Sequence, residues 1–106
     1  MFDFDKCPKR YRGGLARYAQ YGIQPGGFLT AVLSNDLVGA INRADSYGRD
    51  NLCAIVDFIY WELPGLLWGS SERVGTWIVE QGLTHPSREE WFLRDRDKLC
   101  EIGASI

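Results

Sequence analysis

An all-α fold is what this sequence predicts: an irregular compact domain of five to six short helices. Three observations carry that expectation. Leu52, Ile55, Val56, Ile59, Tyr60 and Leu63 fall at i, i+3, i+4, i+7, i+8 and i+11, one face of a helix, and period-two alternation fails through the same run. Twelve glycines and four prolines in 106 residues interrupt the chain too often for long helices. Capping residues stand at the interruptions: Ser34, Asn35 and Asp36 at one, Ser70 and Ser71 at another, and Ser87 with Glu90 as a capping box at a third.

The elements follow in order. Residues 9–21 form a first helix with Leu15, Tyr18 and Ala19 on one face, Tyr11 a turn earlier and Gly22 as its C′ residue. Pro25 is placed as the first residue of the next helix, whose face is Phe28, Leu29, Val32 and Leu33. Asn35 or Asp36 then starts a helix that buries Leu37, Ala40 and Ile41 and ends near Asp45. Residues 45–50 read as a loop, with Asp45, Ser46 or Asp50 capping the central helix that carries Ile55 and Ile59 and widens through Phe58 and Trp61. Pro64 and Gly65 stop that helix. Ser70 or Ser71 opens a helix through Gln81 with Val74, Trp77 and Ile78 inward and Gly82 after it. A charged helix over 87–102 closes the chain, with Trp91, Phe92 and Leu99 as its apolar contacts. The whole is a single domain, 1–106, with 1–8 and 103–106 expected to be flexible.

Composition restricts function. Twelve Lys and Arg against 14 Asp and Glu give a formal net charge of −2, too acidic for binding extended nucleic acid by counterion release. The acidic start lacks the apolar core of a signal peptide, and no apolar run is long enough to cross a bilayer, so a cytoplasmic location is expected. Cys7, Cys53 and Cys100 are odd in number and widely spaced, which predicts reduced thiols, with Cys53 in the core, and neither a disulfide framework nor a zinc site. His85 is the single histidine, and no Cys/His nucleophile signature surrounds it. Asp45, Asp50 and Asp57 miss the spacing of a calcium loop, so no metal is expected. No nucleophile elbow is present, and Asp57 and Glu62 are expected on the solvent side of their helix. The chain therefore reads as non-catalytic and without a cofactor.

What remains is a binding inventory. Gly26 and Gly27 sit where a helix begins, a place where backbone N–H groups can meet an anion. Arg43 and Asp45 end one helix and Asn51 starts the next, and an Arg with an Asn can recognise a phosphate and a base edge. The same residues also suit an internal Arg–Asp bridge and an Asn cap. Tyr60 and Trp68 offer stacking faces, and Asn35 and Asp36 complete the candidate ligand-binding set. Trp68, flanked by Gly69, reads either as a lid over the core or as an exposed anchor for a partner.

Residues 25–37, Pro-Gly-Gly-Phe-Leu-Thr-Ala-Val-Leu-Ser-Asn-Asp-Leu, then Arg43-Ala-Asp45, Asn51 and Trp68-Gly-Ser70, resemble a family of small uncharacterised proteins carried by bacteriophages and bacterial mobile regions. The resemblance spans roughly residues 11–80 and supplies a setting, not a mechanism. It implies a small accessory protein that acts by binding, possible counter-defence work included. The first expectation is capture of a nucleotide-derived small molecule. The second is inhibition or bridging of a host protein, through a surface rich in aromatics. The third is a small metal-dependent hydrolase using Asp45, Asp57 or Glu62. Homo-oligomerisation is compatible with the first two.

Overall fold

The computed structural model describes residues 3–84, and these form an all-α domain of six short helices, with 3-10 turns before the first, between the last two and after the last, and with no strand among the described residues. The helices are α1 (Arg12–Tyr21), α2 (Gly27–Leu33), α3 (Leu37–Arg43), α4 (Ser46–Asp50), α5 (Leu52–Glu62) and α6 (Ser71–Val79). The expected 87–102 helix, His85, Cys100 and the 103–106 tail lie outside the described residues.

The core gathers around α1. Leu15, Ala16, Tyr18 and Ala19 are buried there against Ile55, Phe58 and Ile59 of α5 and Val74 and Trp77 of α6. Two side chains that carry a polar group into this core find partners for it, as buried hydroxyls and indoles require. The Tyr18 hydroxyl donates to the Leu67 carbonyl at 2.6 Å, and the Trp77 indole N–H donates to the Tyr18 carbonyl at 2.8 Å. Burial pushes the Tyr18 phenol well above its ordinary value, which favours the protonated hydroxyl that makes this bond.

Two glycines let the ends of α1 and α6 meet. Gly22 closes α1 at φ 69°, and Gly82 follows α6 at φ 62°. A methyl group on Gly22 would stand 2.7 Å from the Trp77 carbonyl oxygen, and one on Gly82 would stand 2.6 Å from the Gly22 nitrogen. Both obstacles are backbone, so only glycine fits on either side. Gly22 was expected as a C′ residue and is one. Helix α6 ends at Val79, short of the expected Gln81, because Gln81 and Gly82 are consecutive left-handed residues that no α-helix continues through.

Other expectations need correction. Residues 4–8 are not loose: Phe4 and Cys7 are buried, the Asp3 N–H donates to Glu62 at 3.0 Å, and Arg12 donates to the Cys7 carbonyl at 2.8 Å. Pro25 does not start α2. Its carbonyl accepts the Thr30 hydroxyl, and Gly26 is the N-cap. Residues 45–50 are not a loop but α4, because the Asp45 carboxylate accepts the Gly48 N–H at 2.9 Å and caps it. Cys53 is exposed rather than central, since Ile55, Phe58 and Ile59 take the inward side of α5.

The largest correction concerns α3. Of Leu37, Ala40 and Ile41, expected inside, only Ala40 is buried. The side of α3 turned inward is Gly39 with Ala40, and α3 lies closely along α2. A Cβ on Gly39 would collide with the Asp36 carboxylate that caps the helix, so glycine leaves room for the cap, and the bulky Leu37, Val38 and Ile41 face out.

Two substitutions test the junction. Gly82→Ala places a side chain against backbone at a left-handed residue, and is expected to cost at least about 2 kcal/mol and lower the melting temperature by roughly 10 °C. Tyr18→Phe strands the buried Leu67 carbonyl and is expected to cost about 1–3 kcal/mol. Thermal and denaturant unfolding measure both.

Candidate functional site

The candidate residues divide between two clefts. The first lies between α3 and α5, with a volume of about 120 Å³. Val32, Ala40 and Ile59 contribute to its lining with Leu37, Leu52, Val56, Tyr60 and Trp68, and Asn35 and Asp36 supply its polar groups. The polar pair has a local origin. Asn35 takes the left-handed conformation at φ 62°, which Asn tolerates, and turns the chain from α2 into α3. Asp36 then caps α3 by accepting the Gly39 N–H at 3.0 Å. On the opposite wall, Leu52, Val56 and Tyr60 stand at i, i+4 and i+8 on α5. Trp68 is half-buried; its indole N–H donates to the Leu63 carbonyl at 3.0 Å and its ring lies 5.7 Å from that of Tyr60. It is a wall of this cleft and not a free anchor.

The second cleft, of about 370 Å³, is lined by Gly26, Gly27, Phe28, Arg43 and Asp45 with Arg10, Tyr11 and Leu29. The stem of Arg43 lies over Gly27, where a Cβ would meet its Cδ at 3.0 Å. Arg43 donates to the Gly39 carbonyl at 3.3 Å. The expected Arg43–Asp45 bridge is not formed. Asp45 pairs instead with Arg10, at 2.7 Å, because its carboxylate is already fixed by capping α4 on the Arg10 side. The Arg10 guanidinium also lies over the rings of Tyr47 and Tyr11, at 5.2 and 5.7 Å. The Tyr11 ring in turn lies 5.5 Å from that of Phe28.

Asn51 belongs to neither cleft. Its side-chain amide donates to the Tyr47 carbonyl at 2.9 Å and ties the end of α4 to the start of α5. Of the nine expected site residues, Asn35, Asp36, Tyr60 and Trp68 line the first cleft and Gly26, Gly27, Arg43 and Asp45 the second; Asp36 meets Gly27 and Arg43 again in an open third cleft of about 470 Å³, and Asn51 is a structural joint.

The acid–base candidates are placed otherwise. Asp57 is exposed, and Glu62 accepts the Asp3 N–H and faces Lys6 at 3.8 Å. Among the described residues no three His, Cys, Asp or Glu side chains are grouped to hold a metal ion. Burial pushes the Cys7 thiol up to about 12, so it carries no thiolate near neutral pH.

Sequence reading missed the large exposed apolar residues beside the first cleft, Leu37, Val38 and Ile41 on α3 and Val56 and Trp61 on α5, which stand with the expected Tyr60. Trp61 is 74% exposed and Val38 72%. Periodicity gave no signal of which side of these helices would face out, because that depends on distant elements. Arg10 and Tyr11 were missed because only the fold brings them to Asp45 and Phe28. Compared with protein-family models, curated proteins and solved structures, the chain matches none.

The Asp45 carboxyl is held below its ordinary value of 3.8, first by the Gly48 N–H and then by Arg10. Since the folded value is the lower one, its contribution is present above the unfolded value and disappears as pH falls through the folded value. Asp45→Asn keeps a capping oxygen but no charge. Its stability is therefore expected to fall less than that of the parent protein as pH drops below roughly 4, measured as melting temperature against pH.

Proposed function

We propose that this protein is a non-catalytic binding module whose working surface is the apolar cleft between α3 and α5, and whose partner is another protein. The observation that carries the reading is the uncovered apolar face around that cleft. Leu37, Val38, Val56, Tyr60 and Trp61 are between 46% and 74% exposed, on two neighbouring helices. Leaving one such side chain in water forgoes roughly 1.5–3 kcal/mol of burial, and contiguous patches of this kind mark interaction surfaces. Size selects the ligand class. A cleft of about 120 Å³ takes one aliphatic or small aromatic side chain, not a nucleotide. An amphipathic helix offering such an anchor is the matching partner. Inhibition or bridging of a host protein in the cytoplasm, as a phage-type accessory factor, is the role that the sequence resemblance lends to such a module.

A nucleotide-derived ligand is the second reading. The observation in its favour is the grouping of Gly26, Gly27 and Arg43 with Arg10 and Tyr11 around about 370 Å³, within the range of small-molecule sites. Asp45 weighs against it, because it already neutralises Arg10.

The two readings separate by titration. Fluorescein-labelled amphipathic helical peptides with Leu at i, i+3, i+4 and i+7 are expected to bind saturably by anisotropy, and Val56→Asp to weaken them at least about tenfold. Calorimetry against linear and cyclic nucleotides is expected to show no heat. Nucleotide heat that disappears in Arg43→Ala, without saturable peptide binding up to roughly 1 mM, would reverse the order of the readings.

A further inference from the structure

We infer that the α3–α5 face docks on a second copy of the same chain about a two-fold axis, an inference that rests on reading that face as a docking surface. The face is self-complementary because it carries a hole and a ridge side by side. The hole is the cleft of about 120 Å³, close to the roughly 150 Å³ in which an engineered apolar cavity holds benzene, and it accepts one aliphatic side chain. The ridge is Val38 and Ile41, at i and i+3 on the outer side of α3, next to Leu37 at the cleft. Neither ridge residue lines its own cleft. A two-fold axis therefore lets the ridge of each copy enter the hole of the other, residue for residue.

Area and charge agree. Leu37, Val38, Ile41, Val56, Tyr60 and Trp61 are exposed by 66, 72, 36, 46, 58 and 74%. That amounts to apolar surface on the order of 500 Å² per copy. The surface is continuous past the cleft, since the Tyr60 and Trp61 rings meet edge to face at 4.9 Å. Homodimer interfaces are about 65% apolar, so this apolar area scales to roughly 800 Å² per partner, the standard size of a stable interface. A formal net charge of −2 opposes pairing only weakly. Exposed groups of both signs adjoin the face, Asp36 in the lining of the cleft and Arg49, which donates to the Ile41 carbonyl at 3.4 Å, as an isologous contact needs.

Light scattering on the full chain after size exclusion, across roughly 10–300 µM, tests the inference. The expected mass approaches twice 12.0 kDa. Val38→Asp removes the ridge and Val56→Asp spoils the hole, and each is expected to weaken dimerisation at least about tenfold. Both positions are exposed, and unfolding curves confirm that the variants fold. Mixing the two variants is expected to restore dimer in part, because the intact ridge of one enters the intact hole of the other. A mass of 12.0 kDa throughout, a dimer indifferent to both substitutions, or no recovery on mixing overturns the inference. A monomer also leaves the face to a foreign partner or to the chain's own residues 85–106. The helical peptides distinguish the two failures. If Val38→Asp, with its hole intact, still binds them, the docking surface stands without the dimer; if neither parent nor Val38→Asp binds them, the docking surface itself falls.

Discussion

Inside the core the Trp77 indole N–H reaches the Tyr18 carbonyl, and the Tyr18 hydroxyl reaches on to the Leu67 carbonyl. These contacts join α1, α6 and the turn after α5, and both large side chains are fully buried in making them. Their geometry is possible only because Gly22 and Gly82 bring two backbones within a distance no side chain tolerates. With α1 and α6 fixed in this way, α5 has one inward side, occupied by Ile55, Phe58 and Ile59. Its remaining apolar residues have nowhere inside to go. The exposed face is thus a consequence of how completely the core around α1 is already filled.

The α2–α3 pair has the same effect from the other direction. Gly39 and Ala40 are the buried residues of α3, and the bulky residues of a seven-residue helix are turned outward. A helix packed for stability alone would reverse that arrangement, placing Leu37 and Ile41 inside and the small residues in water. Two neighbouring helices that both present large apolar side chains to solvent are the observation from which the docking surface is proposed.

Much of the fold was legible in the sequence because caps and breaks act locally. Asp36, Ser70, Gly22 and the Pro64–Gly65 stop are read from a few neighbouring residues, and each stands where local chemistry places it. The sites were less legible because facing is decided at a distance. The stripe of α5 could be counted, but which part of it would meet the core depended on α1 and α6. Helix periodicity could not show that Leu37 would be outside and Cys53 exposed. The Arg43–Asp45 proximity in sequence was misleading for a similar reason. Arg10, 35 positions away, pairs with Asp45 at 2.7 Å, while Arg43 donates to the Gly39 carbonyl. Asn51 was a fair candidate by type, yet its amide is taken up by the Tyr47 carbonyl in the same local joint.

The distance along the chain between Trp77 and Tyr18, 59 residues, also sets an order of events. On the ribosome, α1 emerges long before the segment that covers it, and its Leu15 and Tyr18 have no partner on α6 until nearly the whole described chain is out. Closing so long a loop costs entropy before any contact returns it, so this contact can form only once the chain through Trp77 is available. During synthesis the nascent protein therefore displays two apolar surfaces, the inner side of α1 and the outer side of α3. The first is withdrawn when α6 arrives, while Leu37, Val38 and Ile41 of the second are exposed in the folded domain.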